Sequence, residues 1–271
     1  MVFSRLHTPN WREGFARYRH RSANRGLWNG LRGAWLPSLG PTGRTLWDIG
    51  GRHKHGGFEN MSGDNWGVAK NGYAIAMNGV DESVVLTAPG DTSFAFTSGF
   101  SVLLKIKATA ANVGQYDVAF SCCDLGGNGW RMWTRDASTP KWYWECRDAG
   151  GATNVVSPSA ITSEWQTIVG THDGGNLRLF LDGREVGTPR ACGNVVYGVD
   201  SIRTNLGAMA QGLLATARQR WFPGMYATAA IWGRVLAPGE IQQLHQDQFA
   251  LVRPRARYFP AVSAHGPFRV A

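Results

Sequence analysis

The feature that most limits what this chain can fold into is the rhythm of its extended runs. Ten short stretches, residues 72–79, 83–88, 99–108, 115–122, 130–136, 141–148, 164–173, 176–183, 201–208 and 224–235, recur between turns rich in Gly, Asn and Asp. Strands this short, spaced this way, specify an antiparallel sandwich or barrel. The clearest run is NLRLFLDGREV, 176–186. Leu177, Leu179 and Leu181 fall on one side of an extended chain, and Asp182-Gly183 supplies a pair that tolerates the positive φ of a tight hairpin. No helix of βαβ spacing separates the runs, which disfavours a parallel α/β sheet.

One helix is expected, over 237–251. Pro238 suits its first position, Glu240 complements the dipole in its first turn, and Ile241, Leu244 and Leu251 make a narrow apolar stripe. Ala237 at the N-cap offers no side-chain acceptor, a loss of about 1 kcal/mol against Ser or Thr. At 271 residues the chain can bury a full core; its 35 glycines and 17% charged residues fit many turns and few solvated helices.

The formal net charge of +9 is concentrated at the two ends. Arg5, Arg12, Arg17, Arg19, Arg21 and Arg25 face Glu13 alone among residues 1–26, and Arg253, Arg255, Arg257 and Arg269 face no acid among residues 252–271. The remainder holds eighteen basic and eighteen acidic residues. The expected organisation is therefore a basic arm, 1–27, a neutral body, 28–251, and a basic tail, 252–271. Arg-rich segments beside a compact body read as docking elements whose guanidinium groups pair bidentately with carboxylates of an acidic partner. Nucleic acid is disfavoured as that partner, because the neutral body carries neither a basic stripe nor a nucleic-acid motif. Cys122, Cys123, Cys146 and Cys192 lack CxxC spacing, which argues against zinc. The start MVFSRLHTPNWREGF has no apolar signal region and no run reaches membrane-spanning length, so a soluble, unsecreted chain with reduced thiols is expected.

Taken in order, several stretches resemble the laminin G-like branch of the concanavalin A-like lectin/glucanase superfamily. GAWLPSLGPTGRTLWDIGGRHKHGGFENM resembles that branch's opening loop, and AIAMNGVDESVVL its F-x-G-x-D-x-V-x-L hairpin. FSVLLKIKA resembles the next inner strand. WQTIVGTHDGGNLRLFLDGREV resembles W-x-x-V-x-x-T-x-D-G-x-x-x-x-L-Y-V-D-G, and FPGMYATAAIWGRVLAPGEIQQL resembles the closing strand and helix. The likeness spans residues 28–248 and implies an all-β, antiparallel two-sheet jelly-roll with a short C-terminal helix. Separately, HQDQFALVRPRARYFP resembles the Arg-rich ends that follow such domains in bacteriophage structural proteins.

Departures from the pattern bear on chemistry. Tyr226 stands near where the closing motif carries an acid, so calcium, for which Asp48 is the candidate ligand, is not favoured; calcium takes about 6 to 8 oxygens. No cofactor is expected. Glucanases of the superfamily carry E-x-D-x-x-E, because retaining hydrolysis needs two carboxyl groups about 5–5.5 Å apart. That triplet is absent; Asp81-Glu82, Asp173 and Asp182 sit in turn sequences, and the chain is read as non-enzymatic. His53 and His55 read as loop histidines. Trp142 and Trp144 share one strand face, with Tyr143 opposite and Trp130 and Trp133 preceding them, and are the candidates for a sugar-stacking platform, against a core role for one face.

The resulting expectation is a bacteriophage virion protein on the capsid surface, a decoration or cement protein. Arg5, Arg12, Arg17, Arg19, Arg21, Arg25, Arg253, Arg255 and Arg257 would grip the major capsid protein or another virion protein, in a homo-oligomer or symmetric array assembled from chains made in the host cytoplasm. The alternative is a lectin-like adhesion module for host surface glycans.

Overall fold

The computed structural model describes Arg19 and residues 22–62, 65–69, 71–109, 116–124, 126–135, 138–198, 202–209 and 220–254. Two antiparallel eight-stranded sheets make up the body. The first contains β1 (Leu31–Trp35), β4 (Trp66–Ala69), β5 (Gly72–Asn78), β7 (Phe100–Ala108), β12 (Trp165–His172), β13 (Asn176–Leu181), β14 (Arg184–Ala191) and β16 (Pro223–Trp232). Its order is β14-β13-β12-β7-β16-β5-β4, with β1 also pairing β16. The second contains β2 (Thr45–Leu46), β3 (Gly56–Glu59), β6 (Ser83–Val85), β8 (Val118–Cys123), β9 (Gly129–Arg135), β10 (Lys141–Asp148), β11 (Gly151–Val156) and β15 (Arg203–Leu206), in the order β11-β10-β9-β8-β15-β6-β3-β2. The single described α-helix, α1, is Pro238–Gln246.

Alternation decides which residues fill the space between the sheets. Val102, Leu104 and Ile106 of β7 point inward to meet Phe120 and Cys122 of β8, Trp130 and Met132 of β9, and Trp142, Trp144 and Cys146 of β10. Indole N–H groups that enter this core find acceptors: Trp130 Nε1 donates to Phe94 O at 3.0 Å, Trp142 Nε1 to Gln166 Oε1 at 2.9 Å, and Trp144 Nε1 to Thr171 O at 3.1 Å. Burying such rings is affordable only because each polar tip is satisfied.

The outer face of the first sheet is also covered. Leu103, Val169, Phe180, Ala230 and Trp232 pack beneath Leu27, Trp28, Leu36, Ile49, Ile241, Leu244 and Leu251. This explains why β7 is buried on both faces and reads as a nearly continuous apolar run. Leu27, which the sequence places in the arm, and Val252, placed in the tail, are both buried in this layer.

The Asp182-Gly183 turn forms as expected, with φ of 51° and 81°. Strands β1, β2, β3 and β4 escape sequence reading because they are two to five residues long and mostly interrupted by glycine. Strand β11 is GATNVV, and β14 is REVGTPRA, an exposed edge that contains proline. The helix stops short of 251 because Asp247 leaves helical geometry and its carboxylate takes the Phe249 amide at 3.0 Å. At the other end Glu240 compensates the uncapped Ala237: Oε2 accepts the Ala237 amide at 2.9 Å, while Arg234 holds both carboxylate oxygens at 2.7 Å. No described helix is long and apolar enough to cross a membrane.

Candidate functional site

Two places stand out: the corner from which both basic ends depart, and the outer face of the second sheet. At the corner, Ser22 and Pro254 form an antiparallel bridge, and the Ala23 amide donates to Arg253 O at 2.8 Å. Asn24 Nδ2 donates to Ala250 O and Trp28 Nε1 to Leu251 O, both at 2.8 Å. Gln243 Nε2 of α1 donates to Asn24 Oδ1 at 2.8 Å. The first and last described segments of the body are thus tied together, and the two Arg-rich ends share one exit. Arg19 and Arg25 are exposed; Arg253 is exposed and pairs with Asp247. Arg5, Arg12, Arg17, Arg21, Arg255 and Arg257 lie outside the described residues.

Among the described residues no helix lies over the outer face of the second sheet. Inward residues of β9 and β10 alternate with Arg131, Trp133 and Arg135, and with Lys141, Tyr143, Glu145 and Arg147. Arg203 of β15 faces Cys123, and Asn205 faces Ser121. A small cluster of Val118, Cys123, Trp133 and Met209, with Tyr116 and Tyr143 against it, forms the floor. Tyr116 stacks on Trp133 at 5.6 Å, and Trp133 meets Tyr143 at 5.0 Å. Guanidinium groups lie over these rings: Arg131 4.9 Å from Trp133, Arg220 and Arg135 5.4 and 5.8 Å from Tyr116. Glu145, 3% exposed, is held by Arg131 Nη2 at 2.5 Å. It is the one carboxylate that β8, β9, β10 and β15 turn to this face.

The proposed sugar platform of Trp142 and Trp144 is corrected. Both indoles are essentially inaccessible, at 1% and 0% exposure, and sit between the sheets. Even spacing placed them correctly on one face; that face is the inner one, and the outward aromatics are Tyr143 and Trp133. Arg131, Arg147, Arg203 and Arg220 were missed. The WRMWTR and KWYWECR alternations contained the signal, since every second residue opposite a core Trp must face outward.

Asp48 does not stand ready as a calcium ligand. Its Oδ1 takes the amides of Ala34 and Gly50 at 3.0 and 2.6 Å, and its Oδ2 those of Lys54 and Arg52 at 3.2 and 3.3 Å. Burial still pushes its carboxyl upward despite these bonds. The carboxylate organises the 48–54 loop, which also presents His55, whose Nδ1 accepts the Asp48 amide at 3.0 Å. His53 is exposed. Among the described residues no three His, Cys, Asp or Glu side chains gather to hold a metal.

The family pattern of the concanavalin A-like lectin/glucanases superfamily, in its laminin G form, matches residues 78–242, more than half of the sequence. The chain belongs to that superfamily. Solved structures agree on the fold. Domain 4 of an extracellular arabinanase from Geobacillus stearothermophilus, solved with arabinotriose, is 16% identical at a TM-score of 0.57, over 80% of this chain and 98% of that one. The binding domain of a paraclostridial mosquitocidal protein is 15% identical at a TM-score of 0.59, over 82% of this chain and 53% of that one. A Trypanosoma rangeli sialidase in complex with sialic acid is 17% identical at a TM-score of 0.57, over 82% and 33%. This lectin-like chain therefore spans about half of the toxin domain and a third of the sialidase. No match was found among curated proteins. The superfamily fold occurs both in non-catalytic binding domains and beside catalytic ones.

Proposed function

We propose that this lectin-like jelly-roll is a non-catalytic bacteriophage virion protein, a decoration protein of the capsid surface. Its two basic ends hold the major capsid protein, and its sandwich projects outward. The observation that carries this reading is the shared exit of the ends, bridged at Ser22 and Pro254. Segments with charges of +5 and +4 that leave from one corner act as a single cationic anchor, worth more than either alone because the second engages at high local concentration. The resemblance of the 245–260 segment to phage structural proteins supports the assignment of partner. A homo-oligomer on a symmetric shell follows from the same reading. Glu145 is bound to Arg131 with no second carboxylate beside it on these strands, which supports a role without hydrolysis. Changing Arg17, Arg19 and Arg21 to Glu tests the anchor. Attachment to particles should be lost with the far-UV spectrum and melting temperature of the body unchanged; undiminished attachment refutes the anchor.

A second reading has its own observation. The aromatic-floored face of the second sheet suits a host surface glycan, as in a lectin-like adhesion module, and the arabinotriose bound by the similar arabinanase domain makes sugar a natural ligand class. Substituting Tyr143 by Ala should weaken binding on a glycan array; a profile identical to that of the parent chain would count against this face.

A further inference from the structure

The outer face of the second sheet is electrostatically lopsided. The strands β8, β9, β10 and β15 turn Arg131, Arg135, Lys141, Arg147 and Arg203 toward it, against the single carboxylate of Glu145. Arg220 joins them from the segment before β16. Arg131 Nη1 and Arg220 Nη1 approach the same neutral atom, Met209 Sδ, at 3.4 and 3.7 Å. Glu145 is already taken by Arg131, and Arg220 has no carboxylate within ion-pair distance among the described residues. Burial and the neighbouring Arg131 charge both pull the Arg220 guanidinium below its usual range. Donors are also left over: Arg131 Nε, Arg147 Nε and Arg203 Nη1 are buried without hydrogen-bond partners. Two half-buried guanidinium groups converging on a sulfur, with spare N–H donors around them, form a site whose missing component is an oxyanion.

We propose that this face binds an acidic sugar, with a carboxylate or sulfate group of the ligand seated between Arg131 and Arg220. This deepens the glycan-binding reading and rests on it. Trp133 and Tyr116 lie under the guanidinium groups and fix their planes, so that the forks are oriented before the ligand arrives. The same rings argue against a nucleic-acid strand. Trp133 is 4% exposed and stacked against Tyr116, so the floor lacks the row of open ring faces on which successive bases stack.

The test is calorimetric titration of the full chain with tetragalacturonate, its methyl ester and a sulfated κ-carrageenan tetrasaccharide. The Arg17, Arg19 and Arg21 to Glu variant is measured alongside, so that attraction to the basic ends is separated from binding at the sheet. Tetragalacturonate, the sulfated sugar or both should bind, with the neutral ester at least tenfold weaker. Arg220→Gln should lower the affinity about tenfold, whereas Arg178→Gln, on the other sheet, should not. Arg131→Gln strands the buried Glu145, so Arg220→Gln, with its melting curve checked, is the deciding variant. Equal binding of acid and ester, or neutral sugars alone binding on an array, overturns the acidic specificity and leaves the glycan reading standing. Absence of binding to any sugar overturns both. Tighter binding of single-stranded DNA that Arg220→Gln abolishes would replace the sugar with nucleic acid.

Discussion

Truncating Trp144 to Ala should destabilise the body severely without acting through any ligand. The indole is fully buried, meets Phe100 at 5.9 Å and Trp130 at 6.0 Å, and lies against the flat space left by Gly170, where a Cβ would come within 2.3 Å of the ring. Removing a buried Trp costs about 3–5 kcal/mol in lost transfer energy and residual cavity. Its N–H donates to Thr171 O at 3.1 Å, so truncation also removes a buried hydrogen bond, adding about 1 kcal/mol. A loss of about 4–6 kcal/mol is a large part of the roughly 5–15 kcal/mol that holds a domain together. Trp144→Phe keeps most of the ring contact and should lose about 1–2 kcal/mol. Urea unfolding followed by tryptophan fluorescence and circular dichroism at 25 °C reads both. A Trp144→Ala protein within 1 kcal/mol of the parent, especially one with reduced sugar affinity, would refute placement of this ring between the sheets.

Gly129 opens β9 at φ 125°, with an added Cβ only 2.1 Å from Cys122 O, so Gly129→Ala should cost more than about 2 kcal/mol; a melting temperature unchanged by the substitution would contradict that strand register. Glu240→Gln loosens α1, since hydrogen bonds from Arg234 hold the Glu240 carboxyl below its ordinary 4.5. A depressed acid stabilises the fold above its unfolded pKa and ceases to do so as pH falls through the folded value. The Glu240→Gln protein should therefore be less stable by about 1 kcal/mol at pH 7, and the gap to the parent should close below pH 4.5. A gap independent of pH would show that the ion pair does not act. All four cysteines are buried, and burial pushes the Cys192 thiol up to about 11. A thiol reagent at pH 8 should modify none of them within minutes in the folded protein and all four in urea; prompt reaction of one thiol would contradict the burial.

Much of the fold was legible because its signals are local. Alternation in 141–148 and 176–183, and the Asp182-Gly183 pair, each define a strand or turn from within a few residues. Strands such as LRGAW and GGFE carry no such signal; they exist because β16 and β6 offer them free edges, a fact of tertiary context. The site was half legible for the same reason. Period-two spacing separates Trp142 and Trp144 from Tyr143, but which face is core depends on the first sheet, whose Gly170 and Phe100 lie far away in sequence. Arg220 could not have been assigned at all, since only the chain path before β16 brings it to Arg131 and Met209. The joining of Ser22 to Pro254 is likewise a contact between the two extremes of the body, invisible to any local pattern.

The most direct test of the proposed virion role is quantitative. DNA-filled particles sedimented from the native source lysate would be analysed by mass spectrometry for this chain relative to the major shell protein. A decoration protein held by its paired basic ends should be present in hundreds of copies per particle. Absence from purified particles would contradict the account.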